Sequence, residues 1–545
     1  MGNEKEGGEN VRFDPMEYPY ASRRMVTYGA RGMVATSQQL AAQAGLQILR
    51  EGGNAVDAAI ATAACLTVVE PCSNGIGGDA FALVWVHGGL FGLNGSGPAA
   101  QKADAASLGK QGYKAMPRFG WHPVTVPGAP AAWAALSKRF GRMPLPKVLA
   151  PAISYARNGF VVSPTVAAAW QKQYQLFSRE LEGEEFRFWF HTFAPHGRPP
   201  QAGELVQLPE HAATLEELGQ TGCESFYRGA LAQRIGDFAA RFAAPLTAED
   251  LAAFQPEWVH PLRVHYRGYD VWEIPPNGHG LVALSALEIL KGFDMTCVES
   301  VEWYHRQMEA LKLAFADAKA YLADPKNMQV TAESLLDPAY AAERRKLIGE
   351  KAILPIAGNP ESGGTVYLAA ADAEGMMVSF IQSNYQGFGS GLVVPGTGIA
   401  LHNRGCNFNL EEGHPNCLAP GKRPYHTIIP GFISKDEQPV GPFGVMGAFM
   451  QPQGHLQVVV RSIDQRLNPQ AVLDAPRWQW TGGRTIEVEP HFPQHIAAAL
   501  SRRGHEVRVS MDVASFGRGQ IIWRSDAGAL AGATESRADG CVAAW

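Results

Sequence analysis

Two thirds of the way along this 545-residue chain the pattern of apolar residues changes period. Before the change apolar positions recur at helical spacing; after it they alternate as in strands. The join is a linker, residues 358–364, that leads into Gly363-Gly364-Thr365-Val366-Tyr367-Leu368. Two glycines thus deliver a threonine to the first position of a strand, residues 365–372. Ala373-Glu374-Gly375 is the turn and residues 376–383 the return strand. With those residues as the loop, Asp372 faces Met376, and stepping back pair by pair sets Thr365 opposite Ser383. A loop one residue longer would set Asn384 there instead.

A threonine is a poor nucleophile unless a base lies beside it. One available base is its own α-amine, which exists only after the preceding peptide bond is cut. Gly364 suits such a cut, since without a Cβ it leaves its carbonyl open to the Thr365 hydroxyl. A free α-amine has an ordinary pKa of roughly 7.7–8.0, so a useful share is neutral near physiological pH. Taken alone, Gly-Gly-Thr at the head of a hairpin is also ordinary turn chemistry. The rest of the chain decides between the two.

Hydrophobic content of 46% and charged content of 18% describe a globular chain with ample core material. Net charge is −5 with scattered basic residues, so neither nucleic acid nor an anionic membrane is an expected partner. The first residues are polar, with no apolar stretch of the kind that directs secretion. The longest largely apolar run, residues 58–69, is too short to cross a bilayer. Seven widely spaced cysteines without a CxxC pair read as reduced thiols of a cytoplasmic protein.

Ser37 is placed to cap a helix that ends at Gly52-Gly53, and Asn54 or Asp57 to start a second, apolar nearly all round, over residues 55–69. Ser73-Asn74-Gly75-Ile76-Gly77-Gly78-Asp79 is a glycine loop before an apolar strand, residues 80–86. It precedes a strand, not a helix, and matches neither GxGxxG nor a P-loop, so it reads as a turn packed tightly on neighbouring backbone. Residues 120–356 read as mainly helical: a helix over 129–140, another over 146–158 bent or interrupted at Pro151, and a long one capped by Ser300 and running to 322. His305 on that helix reads as a hydrogen-bonded core residue. No HExxH or clustered ligand spacing is present, and neither metal nor cofactor is expected. There are no evident repeats.

Beyond Thr365 the chain is β-rich. Gly387-Phe388-Gly389-Ser390-Gly391 forms a loop, residues 398–402 a strand, and residues 421–430 lead into another. Residues 442–448 end in a small-residue turn with backbone N–H groups available, as an oxyanion hole requires. Asn468-Pro469 opens a short helix to 475 and residues 490–503 form another. Helices early and late with strands between predict a sheet sandwich flanked by helices.

Together these segments resemble the γ-glutamyltransferase family of N-terminal nucleophile hydrolases. The residues that carry the resemblance are Gly52-Gly53-Asn54-Ala55-Val56-Asp57-Ala58-Ala59, Val69-Glu70-Pro71 with Gly75-Ile76-Gly77-Gly78, Tyr321-Leu322-Ala323-Asp324-Pro325, residues 365–391, Gly421-Lys422-Arg423-Pro424 and Gly444-Val445-Met446-Gly447-Ala448. The family implies an α+β fold, a four-layer αββα sandwich made as one precursor. That precursor cuts itself at Gly364-Thr365 into a large subunit, residues 33–364 behind an entry segment 1–32, and a small subunit, residues 365–545, which stay entwined. Carried over, Thr365 performs the cut and is then the nucleophile. Ser383 stands where the family has a second threonine. Gly447 matches the first glycine of the oxyanion turn and Ala448 replaces the second.

The substrate clamp departs from the family. The arginine that holds a γ-glutamyl α-carboxylate aligns with Asn94, and an asparagine aligns with Tyr385. A glutamine or glutamate aligns with Arg404, and the acidic residue for the α-amino group with Asn407. Two serines become His426 and Thr427, and the loop between Asn407 and Lys422 is shorter than in members with a lid. Arg404, with Arg423, is expected to supply positive charge for a carboxylate-bearing acyl group held differently. The resemblance implies a self-processing amidase, by family default hydrolysing glutathione or another γ-glutamyl amide, with transfer to amines secondary. An acylase or oxamate amidohydrolase of the same family is the alternative, and a non-catalytic scaffold a second. The partners implied are a small-molecule amide and the sister subunit, with a homo-oligomer compatible.

Overall fold

A computed structural model of the chain describes residue 19 and residues 24–355 and 366–545. Gly363, Gly364 and Thr365 therefore lie outside the described residues, as does most of the entry segment 1–32.

Two seven-stranded sheets dominate the fold. One is ordered, edge to edge, Cys541–Ala544, Gly32–Thr36, Val366–Asp372, Met377–Ser383, Asp79–Val86, Gly89–Gly95 and Glu257–Val259. The other runs Thr27–Gly29, Leu530–Thr534, Arg518–Arg524, Gln438–Met446, Gly431–Lys435, Tyr269–Glu273 and Leu262–Tyr266. All their pairings are antiparallel.

The side-chain period of two sorts each strand between two cores. Tyr367, Ala369 and Ala371 join Phe81, Leu83 and Ile381 of the same sheet, and Ile274, Phe432 and Ile522 from the second sheet's side. The alternate residues Leu368 and Ala370 face the other way, among Val56, Ile60 and Leu66. On the second sheet Val271, Ile433, Phe443 and Ile521 pack with Leu287, Leu311 and Val459 from helices Gly280–Leu290, Val301–Tyr321 and Gln451–Ile463. The two sheets approach closely at Gly444, where a Cβ would stand 2.6 Å from the Tyr367 ring.

Helix Ala55–Val69 starts at Asn54, whose side chain and that of Asp57 form a capping box, and every one of its residues is buried. The hairpin has the predicted register: Ala371 faces Met377 and Val366 faces Gln382, with Asp372 N–H donating to the Met376 carbonyl at 3.1 Å. Ser300 caps Val301–Tyr321, and Asn468 caps Pro469–Asp474, as expected.

Several expectations are corrected. Gln38, not Ser37, caps helix Gln39–Arg50, because the Ser37 hydroxyl is taken by the Glu70 carboxylate at 2.6 Å. Leu145–Asn158 continues through Pro151 as one helix. Residues 398–402 form only isolated bridges, Gly77 to Leu401 and Val393 to Ala400. The stretch 120–356 is mainly helical, as expected, but also holds the hairpin Leu262–Tyr266 with Tyr269–Glu273. The helix expected over 490–503 is found as Gln494–Arg502 and is followed by strands Glu506–Val509, Arg518–Arg524, Leu530–Thr534 and Cys541–Ala544, to which the sequence assigned no element. Among the described residues no helix is long and apolar enough to cross a membrane.

Candidate active site

Asp79 begins the strand next to the hairpin and faces Ser383 in the register. Both are buried, and the glycine loop before Asp79 explains how they come together. A Cβ on Gly78 would lie 2.6 Å from the Ser383 carbonyl oxygen, and one on Gly77 would lie 2.4 Å from that of Ala400. The loop is thus a close-packed turn, as predicted, and its glycines are required by backbone contact.

The Asp79 carboxylate is fully buried and ringed by cationic and imidazole groups. Its Oδ2 is 2.7 Å from His426 Nε2, 3.3 Å from Arg404 Nε and 3.3 Å from His402 Nδ1. Burial would push the carboxyl up, but Arg404, His426 and His402 more than reverse this, so its pKa lies well below the carboxylate range. Burial, then the Arg404 charge, pushes His426 down to about 4, so its neutral imidazole donates from Nε2 to Asp79. Arg404 also donates from Nη1 to Thr427 Oγ1 at 2.7 Å, and its guanidinium lies 4.5 Å from the Tyr385 ring centroid. Tyr385 has φ 72°, and its N–H donates to Ser383 Oγ at 2.7 Å.

Four residues predicted for the pocket, Arg404, Tyr385, His426 and Thr427, therefore gather around Asp79 and Ser383. Asn407 closes the short turn Arg404–Asn407. Around this cluster several buried polar atoms lack a partner among the described residues: Asp79 Oδ1, Arg404 Nη2, Asn407 Nδ2 and both side-chain ends of Asn384. Orphaned polar atoms are rare in protein interiors, and a group of them calls for partners beyond the described residues.

Asn94 is not part of that group. Its amide donates to Asn277 Oδ1 at 3.0 Å and accepts from the Ser96 N–H and hydroxyl, so both ends are committed internally. Arg423 is likewise committed, to Glu257 at 2.9 Å and to the Ser96 carbonyl at 2.9 Å, which corrects the expectation that it supplies charge for a substrate.

Strand Gln438–Met446 ends at Gly447, with φ 143°, and Ala448, with φ 50°. Both conformations favour glycine, so Ala448 sits where a second glycine would be unstrained. A short 3-10 turn, Ala448–Met450, then opens helix Gln451–Ile463, whose partial positive N-terminal charge adds to the turn's N–H donors. A cleft of about 420 Å³ begins at this turn and is lined also by Arg118, Phe449, Met450 and Trp480.

One further set, His305, Glu309 and His505, is close enough to share an ion. Its groups are committed to one another instead: His305 Nδ1 lies 2.9 Å from His505 Nε2, and Lys312 donates to Glu309 at 2.7 Å. A buried ammonium in that position opposes a cation, and His305 reads as the core residue predicted.

Asp79 and His402 were missed as site residues by sequence reasoning. The signal for Asp79 was present: a carboxylate opening a fully apolar strand must be paired to be buried. His402 carries no local signal, since it is brought in from a distant loop.

The family model described as gamma-glutamyltranspeptidase matches residues 41–545. The chain is 37% identical over 527 residues to a glutathione hydrolase-like YwrD proenzyme of Bacillus subtilis, covering 94% of this chain and 98% of the relative. It is 34% identical over 530 residues to an oxamate amidohydrolase proenzyme of Klebsiella pneumoniae, covering 94% and 98%. Among solved structures it is similar to a cephalosporin acylase from Bacillus halodurans, at 58% identity and TM-score 0.94, covering 98% and 99%. A match over nearly the whole chain, to a family whose curated relatives are proenzymes, means that this protein belongs to the gamma-glutamyltranspeptidase family.

Proposed function

We propose that the protein is a self-processing amide hydrolase whose acyl substrate carries a carboxylate and is not held as a γ-glutamyl group. The observation that carries this reading is the pair of donors without a partner among the described residues, Arg404 Nη2 beside Asp79 and Asn407 Nδ2 on the same turn, together with the internally committed Asn94. Two N–H donors on one short turn, Arg404–Asn407, suit the two oxygens of a carboxylate. The glutathione reading takes second place because the position that would pair with a γ-glutamyl α-carboxylate is a neutral, occupied amide.

In this reading the chain adopts the four-layer αββα sandwich, and the precursor is cut between Gly364 and Thr365 into entwined subunits in the cytoplasm. The Thr365 hydroxyl attacks the substrate carbonyl carbon and its proton passes to the new α-amine. The N–H groups of Gly447 and Ala448 hold the oxyanion. The C–N bond then breaks, the amine departs with the proton from the α-ammonium, and an acyl-threonine ester remains. Water, deprotonated by the α-amine, releases the acid. Ser383 positions Thr365.

A substrate panel on the processed protein tests this reading. Glutaryl- and adipyl-4-nitroanilide and oxamate represent the favoured class, and γ-glutamyl-4-nitroanilide and glutathione the second. Faster turnover of a favoured substrate supports the reading; preference for a γ-glutamyl substrate overturns it.

A further inference from the structure

The cleft beside the oxyanion turn is a second feature that the acyl site does not use. It is lined by Gly447 at one end, by Phe449, Met450 and Trp480 as an apolar wall, and by two charged residues, Arg118 and Glu487. Arg118 is held in place: its Nε donates to Gln386 Oε1 at 2.7 Å, and its carbonyl accepts from Asn403 Nδ2 at 3.0 Å. Gln386 N–H in turn donates to Asn403 Oδ1 at 3.1 Å. The guanidinium is thus tied to the segment that follows Ser383, yet the residue is exposed. The Glu487 carboxylate is engaged by Gln479 Nε2 at 2.9 Å.

We infer that this cleft is the amine-side subsite, and that it takes a flat or bulky apolar amine bearing a carboxylate, which Arg118 pairs. The assignment rests on the acyl-transfer reading above. In that chemistry the acyl group stays bonded to the enzyme while the amine must leave first. The acyl cluster around Asp79 is enclosed in protein, whereas the cleft is open to solvent and shares Gly447 with the oxyanion turn. Phe449, Met450 and Trp480 offer the apolar surface that an aromatic amine needs. Arg118 supplies a planar fork for its carboxylate. Among the lining residues Glu487 is the other charge, so removing Arg118 leaves a cleft that repels an anion.

Two chromogenic amides with one acyl group test the inference: glutaryl-4-nitroanilide and glutaryl-3-carboxy-4-nitroanilide, which differ by a single carboxylate on the leaving amine. Wild-type protein is expected to have the higher kcat/KM on the carboxylated anilide. Arg118→Ala should lose about tenfold there, as the loss of one charge-assisted contact implies, and change by less than about twofold on the plain anilide. Arg118→Lys should recover part of the loss. Equal losses on both anilides, or no loss on either, overturn the assignment. If wild type cleaves neither, the acyl-transfer reading fails for this acyl group, and titration of the free amine, 5-amino-2-nitrobenzoate, still reads the cleft. Binding to wild type that weakens about tenfold in Arg118→Ala supports the subsite; equal binding to both proteins, or no binding to either, overturns it.

Discussion

Asp79 stands directly opposite Ser383 across the antiparallel strands Asp79–Val86 and Met377–Ser383, so the hydroxyl at the end of the hairpin has a buried carboxylate for its neighbour. That carboxylate is the hub on which Arg404, His402 and His426 converge, and its loss is the most informative change to the cluster. Asp79→Asn keeps the shape but leaves the Arg404 guanidinium buried without its counter-ion. Breaking one side of a buried pair costs about 3–5 kcal/mol, to be read from urea melts. The double variant Asp79→Asn with Arg404→Met should be less destabilised than the sum of the single variants, because it leaves no uncompensated charge. Strict additivity would mean that the two residues are not coupled.

The same cluster predicts an acid-sensitive fold. His426 titrates at about 4 in the folded chain against an ordinary 6.5, so between those values the unfolded chain holds a proton that the folded chain does not. Stability therefore falls as pH drops through that window. Asp79 acts in the same sense at lower pH: its depressed pKa gives stability that is present above the carboxylate range and is lost as pH falls through the folded value. Melts of wild type and His426→Asn between pH 4 and 7 isolate the imidazole. The variant's slope should be shallower by up to about 1.4 kcal/mol per pH unit, the effect of one proton. Parallel slopes would remove His426 from the account.

At Gly447 and Ala448, the turn proposed to hold the oxyanion, the two positions should respond in opposite ways. Gly447→Ala puts a methyl 3.2 Å from Gly517 Cα and Met450 Cβ, at a φ of 143° that L-residues avoid, and so displaces the donor. A loss of roughly 10²–10³ in kcat is the expected scale for one oxyanion donor. Ala448→Gly relieves a φ of 50° and should leave kcat within about threefold, with stability equal or higher, since glycine occupies this region freely. Steady-state kinetics on the best substrate of the panel, with a thermal melt of each variant, decides both.

Much of this was legible in the sequence because it is local. The hairpin register follows from three turn residues, and as far as Val366 it is the register found. The Asn54–Asp57 capping box and the Ser300 and Asn468 caps are short-range patterns that tertiary contacts did not override. Ser37 shows the opposite case, since its hydroxyl is claimed by Glu70, thirty-three positions away. The candidate site divides along the same line. Arg404, Tyr385, His426 and Thr427 were found by alignment to family positions, and they do converge. Asn94 and Arg423 align equally well but are consumed by Asn277, Ser96 and Glu257, partners that only the folded chain brings near. The terminal strands escaped because Arg518–Arg524 carries a continuous apolar run at its centre, which periodicity does not separate from a buried helix.

Every proposed catalytic step needs Thr365 as an N-terminus, and the intact mass of purified protein shows whether it is one. Wild type should give two fragments, one ending at Gly364 and one beginning at Thr365, while Thr365→Ala should give a single uncut chain. A wild-type chain that stays whole after prolonged incubation, under conditions where it is folded, would contradict the account, because the free α-amine that serves as its base would never form.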